Sequence, residues 1–297
     1  MSATPAVLVT GAGRGIGRAT AVRLARHGWH VHAGVRSDAA AASLRAESDA
    51  ITPVELDVTV PEHVEALVDA IPERLDALVN NVGIAVPGPV ETLDRAAMHR
   101  QLDVNLVGPL AVTRAVLPHL RRAQGRIVFL SSVNGLVSFP FTGLYNASKF
   151  AVEAVADCLR VELGPFGVQV ALIEPGVVDT DPWHEMDAVV DAVEAALPAE
   201  LRDLYAGHLA GERQLVERIR RGAIPPETVA RAVERALTRR RARARSVVGR
   251  DARLMLVMRA VLPARRMDAL WTRELGLGPG RAPRAAAAPQ ERTEVVT

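Results

Sequence analysis

The stretch PAVLVTGAGRGIGRATAVRLARHGWHVHAGVR, residues 5–36, decides the fold. It opens with an apolar, β-branched run, PAVLVTGA (5–12), of the kind that fills a strand buried on both faces. Glycines at 11, 13, 15 and 17 then form a turn, a helical pattern runs from Ile16 to about His27, and WHVHAGVR (29–36) returns to strand character. Strand, turn, helix and strand make one βαβ unit, and such units predict a parallel sheet. The alternation continues outward. An Ala-rich helix near 38–47, PVELDV (53–58), a helix at 61–70 and DALVNN (76–81) follow. Then come a long helical stretch from about 90 to 121, RIVFLSS (126–132), a helix at about 145–164 and VQVALIEPG (168–176). The predicted architecture is α/β, a doubly wound parallel sheet with helices on both faces. Its ligand should sit at the carboxyl ends of the strands, where strand order reverses.

The expected domain spans 1–250. Its region 181–222 is acidic and helical and is expected to form the substrate lid, PPETVARAVERALT (225–238) opens a clear helix, and SVVG (246–249) suits an edge strand. Residues 251–276 read as an amphipathic C-terminal extension. Within it, RLMLVMRAVLPARRMDALW (253–271), broken at Pro263, suits a weak peripheral membrane contact, a lid, a subunit contact or ordinary packing. The Pro/Ala/Gly-rich segment 277–297 is expected to be a disordered tail.

Of 297 residues, 49% are hydrophobic and only 3% aromatic, so the core must be built mainly of Ala, Val and Leu. Cys158, the one cysteine, cannot form an internal disulfide and sits at a helical position, which suggests a small buried hydrophobe in a reducing compartment. With no secretory pattern at the start and no apolar run near ~18 residues, the expectation is a soluble, cytoplasmic protein. The net charge of +2 hides an asymmetry: residues 239–297 hold fourteen arginines against five acids. The basic run Arg239, Arg240, Arg241, Arg243 and Arg245 has no interleaved aromatics and reads as a solvated helix end, so no nucleic-acid partner is expected. The eight histidines show no metal-ligand spacing, and no metal is expected.

Gly11, Gly13, Arg14, Gly15, Ile16 and Gly17 form the turn TGAGRGIG, which depart from the G-x-G-x-x-G text but keep its physics. Small residues let backbone N–H groups approach a pyrophosphate, and the following helix turns its positive end toward it. A plain strand–helix turn without ligand is the simpler alternative, disfavoured by the context. The second strand ends at Arg36 with no acid until Asp38. An acid there would bind the ribose 2′-OH of NAD, whereas Arg14 and Arg36 suit a 2′-phosphate. NADP(H) is therefore the expected cofactor, with NAD(H) as the alternative.

In YNASK, Tyr145 and Lys149 stand four apart, so on a helix they share a face, and Ser132 lies thirteen residues earlier at a strand end. An ammonium beside a phenol favours the phenolate. Bringing a tyrosine from ~10 toward neutrality takes about 4 kcal/mol. Tyr145 would then act as general acid or base on a carbonyl or alcohol, with Ser132 holding the same oxygen. The lone lysine of the chain is the one in this motif. Phe139, Phe141, Leu144, Trp183 and Met186 suggest an apolar substrate pocket.

Taken together, TGAGRGIG, NNVG (80–83), Asn105 in LDVNLVG, SSVNG, YNASK and EPGVVDT resemble the short-chain dehydrogenase/reductase family, in order and spacing across about 5–182. The segment 128–180 looks most like the branch with 17β-hydroxysteroid and retinol dehydrogenases. The resemblance implies a Rossmann fold, with Asn105, Ser132, Tyr145 and Lys149 catalytic. It implies that Asn105 anchors a water serving the lysine and that Lys149 also binds the nicotinamide ribose. Asp57 and Val58 would contact the adenine, Asn81 would stabilise the central sheet, and Pro175, Gly176, Val178 and Thr180 would cover the nicotinamide. It also implies a lipophilic alcohol or ketone as substrate and a homodimer or homotetramer paired through the helices at about 90–121 and 147–163. Val82 departs from the alanine usual in the family. A protein that only sensed NADP(H), as a regulator or scaffold without turnover, would need the glycine turn but not the four catalytic positions.

Overall fold

The computed structural model describes residues 4–180 and 186–277. Short, apolar, largely β-branched runs form the sheet, as buried parallel strands require. In chain order the elements begin with β1 (Ala6–Val9), α1 (Gly15–Arg26), β2 (His30–Val35), α2 (Asp38–Arg45), β3 (Ile51–Glu55), α3 (Pro61–Ala70) and β4 (Ala77–Asn80). After β4 come α4 (Arg95–Leu102), α5 (Gly108–Ala123), β5 (Arg126–Leu130), α6 (Gly143–Leu163) and β6 (Gln169–Pro175). The chain then forms α7 (Met186–Ala196), α8 (Ala199–Arg220), α9 (Pro226–Thr238), β7 (Arg245–Val248), α10 (Arg250–Val261) and α11 (Ala264–Glu274). All seven strands are parallel, in the order β3-β2-β1-β4-β5-β6-β7. Strand order reverses between β1 and β4, and the site forms at the carboxyl ends beside that point.

One apolar layer packs α1, α2 and α9 on one sheet face, with Val7, Val9, Leu24, Val31 and Val233 at its centre. The other packs α3, α5 and α6 on the opposite face around Leu8, Leu78, Val116, Ile127 and Leu172. Two satellite clusters sit above the strand ends. One joins α10 and α11 to the segment 133–139, and the other joins α7 and α8 to Phe141.

Three expectations needed correction. The strand expected at 53–58 runs instead from 51 to 55, because Asp57 accepts hydrogen bonds from the Thr59 backbone and hydroxyl and ends it in a turn. Pro53 is tolerated because β3 is an edge strand. The single helix expected over about 90–121 is broken. Asp94 caps a fresh start at α4, and a π-helical segment, Asp103–Val107, separates α4 from α5. Cys158 is exposed on α6 rather than buried. The break at Pro263 and the edge strand near 246–249 fall where expected. Among the described residues, no helix is long and apolar enough to cross a membrane.

Candidate active site

The glycine turn joins β1 to α1 through positive φ at Gly11 (64°) and Gly15 (54°). Gly17 faces the turn so closely that a Cβ there would overlap the carbonyl of Gly11. Arg14 is the exposed N-cap residue of α1 and gives the helix no side-chain cap, so its own side chain does not compete for the first N–H groups. Asn81 closes the turn from β4. Its Nδ2 donates to Thr10 O (3.0 Å) and Gly11 O (3.1 Å), while Thr10 Oγ1 accepts from the amides of Asn81 and Val82. These bonds tie the two strands together at the point where their order reverses. Val82 packs on Gly11, where an added Cβ would meet its Cγ2 at 2.9 Å.

Arg36 leaves the end of β2 with its side chain 73% exposed, 3.7 Å from Asp57. Burial pushes the Asp57 carboxyl up, but the Thr59 hydrogen bonds, Arg36 and His63 outweigh it and leave its pKa below the usual value. Val58 is buried against Gly108 at the start of α5. Across the cleft Thr180 reaches the turn, where a Cβ on Gly15 would lie 3.2 Å from its Cγ2. The residues around this turn therefore fit an extended anionic dinucleotide.

Tyr145 and Lys149 share one face of α6, with Lys149 Nζ 5.7 Å from the centre of the Tyr145 ring. Nζ donates to Leu130 O at 2.7 Å, which anchors the lysine to the end of β5. Its burial pushes the pKa down to about 8, with Glu153 pulling the other way. The sequence leads one to expect Lys149, together with the positive nicotinamide of an oxidised cofactor, to lower the tyrosine. In the chain alone the opposite shift dominates: enclosure of the hydroxyl end raises Tyr145, and the bond with Ser132 only opposes that rise. The physical reason is that an enclosed phenolate loses hydration that one ammonium, itself bound to Leu130, does not replace.

Ser132 is buried at the end of β5, and its Oγ accepts from the Asn134 amide at 3.2 Å. Behind it, Asn134 Nδ2 donates to Asn146 Oδ1 (2.8 Å) and Asn146 Nδ2 donates to Phe139 O (2.8 Å). This network pins the loop before α6 to the helix that carries Tyr145.

Asn105 lies in the π-helical segment. Its Oδ1 accepts from Ile84 N (2.8 Å), and Nδ2 donates to Ile84 O (2.9 Å) and Ser148 Oγ (3.0 Å). Both amide hydrogens are thus spent on protein. Pro109, four residues on, has no N–H to give the Asn105 carbonyl, so that carbonyl lacks its usual α-helical donor. Irregular segments of this kind often mark functional positions.

Sequence reasoning missed a buried polar cluster one turn beyond Lys149. Glu153 and Glu174 are both nearly inaccessible, and Arg245 approaches them at 3.1 and 3.3 Å and Asp157 at 2.6 Å. Burial raises Glu174 to about 7, and the Glu153 charge adds to it. The available signals were an acid inside the apolar strand QVALIEP and the four-residue step from Lys149 to Glu153.

The pocket residues divide. Phe139 packs on Trp271 (4.8 Å between ring centres), whereas Phe141 lies under Tyr205 and His208. Met186 joins the second cluster, Leu144 is half-buried, and Trp183 lies outside the described residues. Trp271, Tyr205 and His208 were not anticipated, because nothing in their local sequence links them to the loop before Tyr145.

A family model described as short chain dehydrogenase matches residues 5–190. Mouse retinol dehydrogenase 5 is 35% identical over 278 residues, covering 90% of this chain and 87% of that protein. Bovine 17-beta-hydroxysteroid dehydrogenase type 6 is 34% identical over 280 residues, with 90% and 87% covered. A short chain dehydrogenase from Burkholderia cenocepacia J2315, solved in complex with NADP, superposes with a TM-score of 0.70 at 26% identity, covering 91% of this chain and 97% of that one. On this sequence match and this topology, the chain belongs to the short-chain dehydrogenase family of oxidoreductases, in the branch that holds retinol and 17β-hydroxysteroid dehydrogenases.

Proposed function

We propose that the chain interconverts a lipophilic secondary alcohol and its ketone with NADP(H), and that Tyr145 carries the proton. The observation that carries this reading is the Lys149 anchor. The only lysine of the chain is buried, bonded to Leu130 and placed one turn below Tyr145, with Ser132 across the cleft. The dinucleotide supplies or takes the hydride when bound. The chain's own residues do the rest. Tyr145, held protonated by burial, donates to the carbonyl oxygen during reduction, and Ser132 gives that oxygen a second hydrogen bond. Lys149, a cation below about pH 8, stabilises the negative charge left on Tyr145 and meets the ribose. The carbonyl of Asn105, which Pro109 deprives of its α-helical donor, is the natural anchor for a water that returns a proton to this lysine.

At the other end, the glycine turn and the α1 N-terminus would hold the pyrophosphate, Asp57 and Val58 the adenine, and residues 175–180 the nicotinamide. Arg36, with Arg14, would favour the 2′-phosphate. One charge-assisted contact contributes ~1.5–3 kcal/mol, or about 10- to 150-fold, though exposure and the nearby Asp57 place Arg36 at the low end. The Burkholderia relative solved with NADP supports this choice.

The retinol and steroid names of the relatives, and the aromatic clusters at Phe139 and Phe141, support a lipophilic substrate. Exposed Phe150 and Val161 on α6, with Val107 just before α5 and Phe166 just after α6, support pairing with a second copy on that side. Leu254, Val257 and Val261, exposed along α10 beside arginines, support a weak contact with a membrane surface from the cytoplasmic side.

Fluorescence titration with NADPH and NADH, followed by turnover on a panel of steroid, retinoid and aryl ketones, tests the reading. Tighter NADPH binding and NADPH oxidation only with an added ketone is the expected result. Equal or tighter NADH binding would overturn the roles of Arg14 and Arg36.

A further inference from the structure

The loop after β6 is held from two sides. On one, Ile224 N donates to Val177 O (3.0 Å) and Asp179 N donates to Ile224 O (2.9 Å). On the other, Gly176 N donates to Val248 O (2.9 Å) and Val177 N donates to Asp251 Oδ2 at 2.8 Å. Asp251 belongs to the first turn of α10, not to the sheet. The fit around it is close. A Cβ on Gly176 would overlap the Asp251 carboxylate, and so would one on Gly249, which turns the chain into α10 at φ 116°. Three residues beyond Val177, Thr180 meets Gly15 of the glycine turn. The C-terminal helices are therefore bonded, through one carboxylate, to the backbone that faces the dinucleotide.

We propose that Asp251 is a positioning residue for the nicotinamide end of the dinucleotide, acting through the backbone of residues 175–178. The proposal rests on the cofactor reading above. Asp251 touches neither substrate nor cofactor. It holds the Val177 amide, and with it the turn that follows Pro175, in one conformation before the dinucleotide arrives. Preorganisation of this kind lowers the ordering cost of binding. It also gives the α10–α11 region a means of control, because any shift of α10 moves the acceptor of the Val177 amide.

Only one carboxylate oxygen is engaged, since Oδ1 has no hydrogen-bond partner among the described residues. Asparagine keeps the engaged acceptor and alanine does not. The test compares Asp251→Ala, Asp251→Asn, Gly176→Ala and the double variant Gly176→Ala/Asp251→Ala. Two probes are titrated: NADPH, and adenosine 2′,5′-bisphosphate, which reaches only the adenine end. Asp251→Ala should weaken NADPH roughly tenfold, the scale of one buried hydrogen bond, and change the bisphosphate by less than about twofold. Asp251→Asn should stay within about threefold of wild type for both probes. Gly176→Ala should weaken NADPH too, and the double variant should bind no worse than Asp251→Ala, because the clash disappears with the carboxylate. Amide exchange across 175–180, measured without ligand, should quicken in Asp251→Ala.

Equal loss of both probes in Asp251→Ala would overturn the proposal, as would unchanged NADPH affinity or unchanged exchange across 175–180. Wild-type protein that binds neither probe would overturn the cofactor reading itself, and this proposal with it. Quickened exchange in that case would still separate the strut, which would stand, from the cofactor assignment, which would not.

Discussion

At the strand ends, three of the four residues proposed as catalytic are buried and tied to backbone. On α7 and α8 the polar side chains are partly exposed and tied mostly to one another. Asn105, Ser132 and Lys149 are each at most 8% exposed, and their partners are Ile84, the Asn134 amide and the Leu130 carbonyl. Helices α7 and α8 are joined instead by Arg213 with Asp191 and Glu194, by Arg220 with Asp187, and by a small apolar cluster at Phe141. Tyr205 on α8 donates to Glu91 at 2.5 Å, linking that helix to the segment before α4. Surface ion pairs add little stability. Under the proposed function, proton chemistry would sit on the more rigid elements and substrate choice would fall to the less tightly held ones.

The sharpest way to break this comparison is Tyr145→Phe. Removing the hydroxyl should lower kcat about 10²- to 10⁴-fold, while NADPH affinity, which rests on the glycine turn, stays within about twofold. Steady-state turnover and fluorescence titration measure the two quantities. Comparable losses in both would mean that the two ends of the site are not separable.

Next in size is Arg245→Leu. It leaves Glu153 and Glu174 buried without their cation and should cost about 3 kcal/mol at neutral pH, read by urea denaturation. The sign with pH follows from Glu174, whose folded pKa is raised to about 7. The folded state then holds a proton that the unfolded state releases, so stability falls as pH rises through about 7, and the penalty of the variant should shrink at pH 5. A penalty that grew on acidification would contradict the raised pKa of Glu174.

A third effect sharpens the role of Lys149. Its pKa, lowered to about 8 by burial, makes it a cation below that value and neutral above, while Tyr145 stays protonated throughout because burial raises it. Ketone reduction should hold steady below about pH 8 and decline above it. A rate that rose through the same range would point to tyrosinate as the active form. The smallest effect belongs to the lid. Tyr205→Phe should change kcat by less than about twofold, the scale of an exposed hydrogen bond, while limited proteolysis cuts α8 faster.

The legibility of the molecule follows the same division. Short apolar runs and the glycine turn could be read because local pattern determines a buried parallel strand. The four-residue step from Tyr145 to Lys149 could be read because it fixes a helix face. The π segment was hidden: that Pro109 takes the α-helical donor from Asn105 matters only once the helix around it is known. Glu153, Glu174 and Arg245 meet from three elements, and Asp251 reaches back 74 residues to Val177, so spacing carried no sign of either contact. Cys158 was misjudged because a helical position alone does not say which face is covered.

The central claim is that hydride comes from the dinucleotide while Tyr145 supplies the proton. It is tested most directly by single turnover with NADPH deuterated at both nicotinamide C4 hydrogens and a ketone that the wild type accepts. The account predicts one deuterium on the product carbinol carbon in the wild type, and formation of the same labelled product slowed about 10²- to 10⁴-fold in Tyr145→Phe. Product without deuterium, or an unslowed rate in Tyr145→Phe, would contradict it.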